Sequence, residues 1–545
     1  MKVVIVGAVA GGASAAARLR RLNESAEIIL FERGSEPSFA NCGLPYYIGG
    51  IITERQKLLV APKKLLKERF RLDVRTRTNV ESINLEAKII TARNLDAGEI
   101  TEESFDKLIL APGASPRRPD IPGAESDRLF SLRDLSDADR IHAQTASAKS
   151  AIIIGGGFIG IEMAENFIHR GLKTTLIQRD SQLMSPFDPE MTTPLLMELK
   201  ARGVDVRLNA APSSFTTDDQ FHVHLASGET VTADFGILAV GVHPENGLAV
   251  NAGLKTGPRG GIVVNAHMQT SHPDVYAVGD VIETRSFSAN NPVQVPLAGP
   301  ANRQGRIAAD HIASRNSRFR GVQGTAILGA FNIALAMTGE SEKSLRRANT
   351  PYQKIYIHPA NHAGYYPGAK GMSLKLLFDP ASGKILGGQA VGGEGVDKRI
   401  DVVSIAIQAG MTVFDLEEAE LCYAPQFGSA KDPVNMAGFV ASGVIRGDHP
   451  VVHFADLNEG HYLLDVRTPA EFAAGALPGA INIPIDELRE RLSELPRDRP
   501  IAAYCKVGQR GYNATRLLMQ YGFSVENISG GYTTYQLTQP LTSTR

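Results

Sequence analysis

The stretch KVVIVGAVAGGASAAARLRRL, residues 2–22, decides the fold of the first part of the chain. Residues 3–6 are an apolar run that predicts a strand, and the Ala-rich half of the stretch predicts a helix. The turn between them contains three glycines: Gly7, Gly11 and Gly12. Glycine tightens such a turn and lets backbone N–H groups approach a pyrophosphate at the helix N-terminus. The stretch therefore predicts a dinucleotide-binding turn.

The match is incomplete at one position but gains support from the next strand. Val9 stands where the fingerprint has its middle glycine. The following apolar run, AEIILFER, places Glu32 about 20 residues on, where an acid binds the ribose. Strand, turn, helix and acid together favour nucleotide binding.

A second turn of the same kind occurs in SAIIIGGGFIGIEMAENF, residues 150–167. Its glycines complete the fingerprint: Gly155, Gly157 and Gly160. The next predicted strand ends in Gln178 and Arg179, where an NAD site usually has an acid. Because an arginine accommodates a 2′-phosphate, this turn favours NADPH, with use of NADH also plausible; alternatively, Arg179 is a solvated surface charge.

The composition is that of a globular protein with several domains. The chain has 545 residues, a formal net charge of −1 and three cysteines. Its length predicts about three or four domains, and its charge gives no whole-chain field for nucleic acid or membrane. No apolar run reaches about 18 residues, which argues against a membrane span. The apolar opening imitates a signal peptide but fits a strand better, and scarce cysteines suit a reducing compartment, so we expect a cytoplasmic protein.

A third element points to a flavin. The stretch TSHPDVYAVGDV, residues 270–281, predicts a buried strand that delivers Asp280, a suitable acceptor for a ribityl hydroxyl. Three further stretches accompany it: LAPGASP (110–116), LAVGVHPEN (238–246) and PLAGPANRQGR (296–306). With these motifs the chain resembles the FAD-dependent pyridine nucleotide–disulfide oxidoreductases over residues 1 to about 445.

The resemblance implies an α/β architecture with two Rossmann-like domains. An FAD domain at 1–118 and 240–322 would be interrupted by an NAD(P) domain at 119–239 and followed by an α+β dimerisation domain at 323–447. The resemblance implies the following FAD contacts: Gly7, Ala10, Gly11, Gly12, Glu32, Arg33, Ser38, Asn41, Gly113, Asp280 and Ala298. The implied NAD(P) contacts are Gly155, Gly157, Gly160, Gln178 and Arg179.

The motif SFANC, residues 38–42, contains a cysteine without a near partner. Familiar members of the family carry Cys-x4-Cys, but the fifth residue after Cys42 is Tyr47, so no internal disulfide can form at this site. Cys42 is expected to act alone on an external acceptor, with a pKa lowered at a helix start beside a flavin. The alternative is a buried structural cysteine.

Single-cysteine members of the family form two groups. The NADH peroxidases and oxidases have a histidine in the first turn, where this chain has Ala10. The coenzyme A disulfide reductases are similar to this chain in GAVAGG and SFANC, and in them two tyrosines from the partner subunit flank the reacting sulfur. These tyrosines correspond to Tyr365 and Tyr423, and the resemblance implies a homodimer with shared active sites. From the residues alone, either tyrosine could be core packing; a further tyrosine of relatives is replaced by Phe427.

Coenzyme A also requires cations for its phosphates. The first helix has arginines at 18, 20 and 21, and KKLLKERFR adds Arg69. The resemblance favours Arg18 and Arg21, three residues apart on one helix face. The implied coenzyme A contacts are Arg18, Arg21, Ser38, Asn41 and Arg69. No metal ligand set is expected.

The C-terminal segment after a linker at 445–460 predicts a separate α/β unit. It resembles the rhodanese domains at about 455–545, with LLDVR, PGAINIP and ISGGY. Cys505 ends a predicted strand and opens a six-residue loop to Arg510. Inward N–H groups and the helix dipole would stabilise a thiolate or persulfide there, whereas related phosphatases use the longer Cys-x5-Arg. The third cysteine, Cys422, is expected in a buried structural role.

These features together predict a flavoprotein that acts on sulfur. NAD(P)H would reduce FAD, FAD would reduce Cys42, and coenzyme A persulfide or polysulfide would be the acceptor, with Cys505 supplying sulfane sulfur. The alternatives are a coenzyme A disulfide reductase, an NADH oxidase or peroxidase, and a redox-sensing flavin-binding protein.

Overall fold

The computed structural model describes residues 1–539. The last six residues of the segment assigned to rhodanese, 540–545, lie outside the described residues. The chain divides into two compact units: the first comprises 1–181 with 202–322, and the second comprises 182–201 with the chain from 323 onward. Among the described residues, no helix combines the length and apolar character needed to cross a bilayer.

The N-terminal segment of the first unit is built on a parallel sheet. Its elements are β1 (Lys2–Val6), α1 (Ala10–Leu22), β2 (Glu27–Phe31), α2 (Leu44–Ile48), α3 (Lys63–Phe70), β3 (Asp73–Arg75), β4 (Thr78–Asn84), β5 (Ile89–Asn94), β6 (Ile100–Ser104), β7 (Lys107–Leu110) and β8 (Ala114–Pro116). In the register of the central strand, Val6 lies beside Phe31 of β2 and Leu110 of β7. Strands β4, β5 and β6 form a separate antiparallel sheet.

A second parallel sheet follows in the same unit. In chain order, the elements after β8 are β9 (Leu129–Phe130), α4 (Leu135–Thr145), β10 (Ser150–Ile154), α5 (Phe158–His169), β11 (Lys173–Ile177), α6 (Pro189–Ala201), β12 (Asp205–Arg207), β13 (Pro212–Thr217), β14 (Phe221–Leu225), β15 (Thr230–Ala233) and β16 (Phe235–Leu238). Of these, α6 belongs to the second unit. The sheet order is β12–β11–β10–β16–β9, and β13–β15 form an antiparallel sheet beside it.

The chain then returns to the first sheet. The elements are β17 (Val242–Pro244), α7 (Gly247–Asn251), β18 (Ile262–Val263), β19 (Val275–Ala277), β20 (Ile282–Arg285), β21 (Pro292–Val293) and α8 (Ala298–Ile312). Strand β19 completes the order β19–β7–β1–β2–β3, and β17 pairs with β8. The first sheet is thus assembled from two stretches of the chain that are separated in sequence.

The apolar runs become central strands because both faces of a parallel sheet are covered. All residues of β1 after Lys2 are buried, as are those of β10 after Ser150. Each strand enters a glycine turn that packs a helix against it closely. A Cβ on Gly12 would lie 1.8 Å from the Gly7 carbonyl oxygen, and one on Gly160 would lie 1.9 Å from that of Gly155. Only glycine permits this approach.

The second unit begins with an antiparallel sheet of order β22–β23–β26–β25–β24. Its elements are β22 (Ala326–Ala330), β23 (Ile333–Gly339), α9 (Glu342–Arg347), β24 (Gln353–Ile357), β25 (Met372–Phe378), β26 (Ile385–Gly392), α10 (Val396–Ala409), α11 (Val413–Glu418) and α12 (Pro433–Arg446). Helix α10 packs on β23 and β26. This mixture is the α+β arrangement expected for the segment.

Helix α6 belongs to this second unit, although the sequence assigned 119–239 to a single domain. A buried ionic cluster explains the difference. The fully buried ammonium group of Lys375 on β25 lies 2.8 Å from Asp188 and 2.6 Å from Glu190, and it also contacts Glu342. Because the three carboxylates surround this ammonium group, α6 is tied to the sheet through charge.

The C-terminal segment forms a parallel sheet of order β27–β31–β30–β28–β29. Its elements are β27 (Val451–Val452), β28 (Tyr462–Asp465), α13 (Pro469–Ala473), β29 (Ile481–Asn482), β30 (Ile501–Tyr504), α14 (Gln509–Gln520), β31 (Val525–Ile528) and α15 (Gly531–Thr538). The stretch 445–460 is therefore not a simple linker, since Val451–Val452 is an edge strand.

This segment packs against the antiparallel sheet of its own chain. The Tyr356 N–H donates to Ser529 Oγ at 3.0 Å, and His358 Nε2 lies 2.8 Å from Thr534 Oγ1. Burial lowers the pKa of His358 to about 4, so the histidine is neutral near pH 7. The mixed α/β class with four segments, predicted from the sequence, is confirmed.

Candidate active sites

The first glycine turn has the geometry of a phosphate cradle closed by an acid. Gly7 has φ +97°, and the carboxylate of Glu32 accepts hydrogen bonds from the N–H groups of Ala8 (2.9 Å) and Gly34 (2.7 Å). Glu32 thus stands at the end of β2 beside the turn. Helix α1, with its free N–H groups, begins at Ala10.

The other expected flavin contacts lie in the same unit as this turn. Ser38 adopts φ +50°, which is rare for a residue with a side chain, and its N–H donates to Ala8 O at 2.8 Å. Asn41 is exposed, and its amide lies 3.4 Å from Arg133 O. Gly113 also has a positive φ, of +79°. The remaining two lie in exposed positions: Arg33 and Ala298, the latter at the start of α8.

Asp280 satisfies a direct test of whether a flavin fits. Burial raises the pKa of its carboxyl group to about 6. Its side chain has no hydrogen-bond partner within residues 1–539, while the neighbouring Gly279 N–H is held by Gln304 at 2.8 Å. A partly buried carboxylate without a hydrogen-bond partner among residues 1–539 fits a ligand hydroxyl, as a ribityl chain would supply.

The second turn repeats the first with an amide in place of the acid. Gln178 Oε1 accepts from Gly156 N–H at 2.9 Å, as Glu32 does from Ala8. Gly157, the N-cap of α5, has open space where a Cβ would lie. Arg179 is exposed and pairs with Asp180 at 3.3 Å. The position that corresponds to Glu32 is therefore an amide, with an exposed cation next to it in sequence.

Cys42 lies on a short 3₁₀ helix, Asn41–Gly43, that leads directly into α2. The residue is exposed, so the alternative of a buried structural cysteine is wrong. Burial around the sulfur, followed by the negative charge of Glu162, raises the pKa of the Cys42 thiol. The direction is opposite to the expected lowering, because that expectation included neither burial around the sulfur nor the charge of Glu162.

Glu162 is a candidate site residue that the sequence analysis missed. It lies on α5, two residues after Gly160, and α5 packs against α2. Burial, followed by the charge of Glu165, raises its pKa to about 7. A carboxyl group with its pKa raised to this range suits an acid–base role beside Cys42. Its signal in the sequence is the pair of acidic residues Glu162 and Glu165 on a mostly apolar helix.

Replacing Glu162 with glutamine should lower the pKa of the Cys42 thiol. The charge of Glu162 is the second of the two main causes that raise this pKa, and the substitution removes it. The effect requires ionised Glu162, so it should grow as pH rises through about 7. Rates of Cys42 alkylation measured from pH 6 to 10 in a Cys422→Ser background should rise severalfold at pH 8. The same profile in Glu36→Gln should not change, and an unchanged profile in Glu162→Gln would contradict the assignment.

Tyr47 occupies the position of the missing second cysteine. Its ring stacks on His142 of α4 with centroids 4.9 Å apart, and its hydroxyl donates to Asp139 at 3.3 Å. Arg55 also binds Asp139, at 2.9 Å. Tyr47 therefore links α2 to α4 by packing and leaves Cys42 as the single thiol of this motif.

The candidate coenzyme A cations differ in burial and in ion pairing. Arg18 is mostly buried and bonded to Asp310 at 2.7 Å, whereas Arg21 and Arg69 are exposed. Arg20, which the sequence analysis grouped with these cations, is buried and donates to five carbonyl groups at the ends of α1 and α3. Arg20 is therefore structural.

The two candidate tyrosines lie together in the second unit. Their hydroxyl groups are 2.8 Å apart, with Tyr365 76% and Tyr423 49% exposed. Such exposure excludes the core-packing alternative. The hydrogen bond that Tyr365 shares with Tyr423 raises the pKa of Tyr365, so Tyr365 stays protonated near neutral pH. The nearby Phe427 is 68% exposed, and Cys422 is exposed as well. The expected burial of Cys422 is wrong, because it lies on a surface loop between α11 and α12.

The loops of both tyrosines are fixed to each other. Ala363 N–H donates to Gly428 O at 2.9 Å. Arg399, fully buried, donates to Asn361 O at 2.8 Å and pairs with Asp432 at 2.8 Å. The pair of hydroxyl groups is thus presented on an ordered surface.

Cys505 lies at the end of β30 and is 1% exposed. Its sulfur accepts a hydrogen bond from Gly508 N–H at 3.2 Å, and α14 begins one residue later. The second glycine of ISGGY lies against this loop: a Cβ on Gly531 would be 2.3 Å from Cys505 O and 3.0 Å from Gly508 N. The loop therefore directs the Gly508 N–H towards the sulfur, and α14 begins beside it.

Arg510, predicted at the end of the loop, is already paired. Its two terminal nitrogens each lie 2.7 Å from an oxygen of Glu471 on α13. The bond with Arg510 lowers the pKa of Glu471 to about 2, so the carboxylate is ionised near pH 7. Arg510 also faces the Cys505 sulfur, which contributes to its raised pKa.

Three family models match the chain. Residues 1–305 match the pyridine nucleotide-disulphide oxidoreductase model, 326–433 match the dimerisation domain of that family, and 454–538 match the rhodanese-like domain.

Individual relatives extend the match. Coenzyme A disulfide reductase of Staphylococcus epidermidis is 38% identical over 443 residues, which are 81% of this chain and 99% of that protein. The structure of reduced CoADR-RHD from Bacillus anthracis is 47% identical with a TM-score of 0.97, covering 98% of both chains.

An NAD-dependent persulfide reductase from A. fulgidus is 34% identical with a TM-score of 0.92, covering 98% of this chain and 100% of that one. The chain therefore belongs to the pyridine nucleotide-disulphide oxidoreductase family, as an oxidoreductase with a dimerisation domain and a rhodanese-like domain.

Proposed function

We propose that this oxidoreductase uses FAD and NAD(P)H to reduce coenzyme A persulfide to coenzyme A and sulfide. The observation that carries the proposal is the presence of two different sulfur centres in one chain. Cys42 is an exposed single thiol, whereas Cys505 is a buried thiol at the start of a six-residue loop, and its sulfur accepts a hydrogen bond from the Gly508 N–H. The relatives named for coenzyme A disulfide and persulfide reduction support these substrates.

Both cofactors have residues suited to hold them. The first turn, Glu32 and Asp280 would bind FAD, which when bound supplies the two electrons taken from NAD(P)H. The remaining proposed FAD contacts are Ala10, Arg33, Ser38, Asn41, Gly113 and Ala298. The nicotinamide nucleotide would lie at the second turn, on Gly155, Gly157, Gly160, Gln178 and Arg179.

The reaction balances in two steps at Cys42. Its thiolate attacks the coenzyme A sulfur of CoA–S–S⁻, the S–S bond breaks, and the terminal sulfur leaves and takes a proton to become hydrosulfide. The mixed disulfide between Cys42 and coenzyme A then accepts two electrons, which returns the Cys42 thiolate and releases the coenzyme A thiolate. Glu162, with a pKa of about 7, would exchange the proton beside Cys42.

The tyrosine pair would act from the partner subunit of a homodimer. Tyr365 and Tyr423 are exposed on a domain of the dimerisation type, so a second subunit can present them to Cys42. There a hydroxyl group would donate to the departing thiolate. Coenzyme A would bind through Arg18, Arg21, Ser38, Asn41 and Arg69, and a cytoplasmic location forms part of the proposal.

Cys505 would take sulfane sulfur from polysulfide or another donor and pass it to coenzyme A. The cradle of Gly508 N–H and the N-terminus of α14 stabilises the anionic persulfide formed on Cys505. The rhodanese-like domain would thus make the substrate that Cys42 consumes.

The nucleotide preference gives a prediction at the second turn. Replacing Gln178 with glutamate should lower kcat/KM for NADPH relative to NADH by about tenfold or more, because a carboxylate accepts from a ribose hydroxyl and repels a 2′-phosphate. Steady-state rates with both nucleotides measure this ratio. Arg179→Gln should weaken NADPH alone, and an unchanged ratio in both variants would contradict the assignment.

Product stoichiometry tests the proposed reaction. Under anaerobic conditions, with coenzyme A persulfide as acceptor, each NAD(P)H oxidised should yield one sulfide and one coenzyme A thiol. With coenzyme A disulfide, two thiols and no sulfide are formed. NAD(P)H oxidation with the disulfide alone, and none with the persulfide, would replace the proposal with disulfide reduction.

A further inference from the structure

The Glu471 carboxylate of the ion pair beside Cys505 is held by hydrogen bonds from two residues, Arg510 and Thr468. Both Glu471 oxygens accept from Arg510 at 2.7 Å, and Oε2 also accepts from the Thr468 N–H and hydroxyl group, each at 3.1 Å. The Glu471 and Arg510 side chains are 31% and 33% exposed. The pair is thus accessible to a substrate, yet its carboxylate is fixed by the capping box of α13.

The Glu471–Arg510 pair reduces the positive charge near the Cys505 sulfur, where a sulfur donor would bind. Arg510 is the cation that faces Cys505, and Glu471 neutralises it. Lys506, the other cation of the loop, is exposed and has no ion-pair partner in residues 1–539. The Gly508 N–H is already directed at the sulfur. Because Arg510 is already paired with Glu471, it offers less attraction to a sulfur donor that carries negative charge at its reacting end.

Sulfane donors differ in this charge. Thiosulfate carries a sulfonate directly on the transferred sulfur and releases sulfite, a dianion. An alkyl persulfide carries a single charge and releases a thiolate on a carbon chain. A small dianion needs an unpaired cation far more than a persulfide does, because its charge is concentrated where the bond breaks.

We propose that Glu471 is a specificity-determining residue that favours alkyl persulfides over thiosulfonate donors at Cys505. The inference rests on the proposed sulfur transfer by Cys505 and names its donor class. In the transfer, the Cys505 thiolate attacks the outer sulfur of R–S–S⁻. The S–S bond breaks with its electron pair on R–S⁻, and Cys505 becomes a persulfide. With thiosulfate the same attack releases sulfite, and neither transfer involves net oxidation.

The full-length enzyme tests this by its use of two donors. Thiosulfate and glutathione persulfide are each assayed with cyanide, which takes the terminal sulfur of the Cys505 persulfide as thiocyanate and returns the thiolate. Glu471→Gln keeps an acceptor for the Thr468 N–H while removing the charge. Its kcat/KM ratio, thiosulfate over persulfide, should rise about tenfold. The second neutral variant, Glu471→Ser, should shift the ratio in the same direction.

Both donors are assayed on one sample, so the ratio does not depend on the fraction of folded protein. Glu490→Gln removes an exposed carboxylate from the same domain and should leave the ratio at the wild-type value. An unchanged or lower ratio in both Glu471 variants would overturn the proposed selectivity. Wild-type transfer from both donors in Cys505→Ser would instead overturn the sulfur-transfer role on which it rests.

Discussion

Cys42→Ser should lower the rate of NAD(P)H-driven reduction of coenzyme A persulfide by about 10³-fold or more. A serine hydroxyl neither ionises near neutral pH nor forms the mixed disulfide, and Tyr47 occupies the place of a second cysteine. Anaerobic steady-state assays of sulfide release measure the loss.

Two controls separate chemistry from folding. Cys422→Ser, which changes the other exposed cysteine, should keep the wild-type rate. Reduction of bound flavin by NAD(P)H should stay within about twofold in Cys42→Ser, because the thiol acts after that step. Retention of more than a tenth of persulfide reduction would place the chemistry on another residue.

Cys505→Ser should lower thiocyanate formation from sulfane donors and cyanide by about 10³-fold, because the buried cradle then lacks its nucleophile. Reduction of pre-formed coenzyme A persulfide should remain within about twofold of wild type, since Cys42 performs it. Rates with both substrates on one preparation measure the separation.

The matched control for this variant is Cys422→Ser, which should keep both activities. An equal fall of both activities in Cys505→Ser would contradict the division of labour between the two thiols. Such a result would indicate that Cys505 takes part in the reductase step itself.

Motifs with local geometry could be predicted from the sequence. The glycines at 7, 12, 155 and 160 mark turns in which a Cβ has no room, and their spacing can be recognised directly in the sequence. Glu32 and Gln178 could be placed because each ends a strand that pairs in register with the strand before the turn. The six-residue loop of Cys505 could be predicted because the spacing from Cys505 to Arg510 is local in the sequence.

Features that depend on packing between distant segments could not be predicted. Glu162 comes near Cys42 because α5 packs on α2, and burial around the sulfur together with the charge of Glu162 raises the thiol pKa that was expected to fall. The sequence suggests that Arg20 is a surface cation, but its guanidinium donates hydrogen bonds to five carbonyl groups near the ends of two helices. Glu471 lies 39 residues from Arg510, and no local pattern joins them.

One competition experiment tests the central claim most directly. Equal concentrations of coenzyme A persulfide and coenzyme A disulfide are mixed anaerobically with the enzyme and limiting NAD(P)H, and the sulfide released per NAD(P)H is measured. The proposed function predicts a ratio near one, because the persulfide is consumed first. A ratio near zero would contradict it, since the electrons would then have gone to the disulfide.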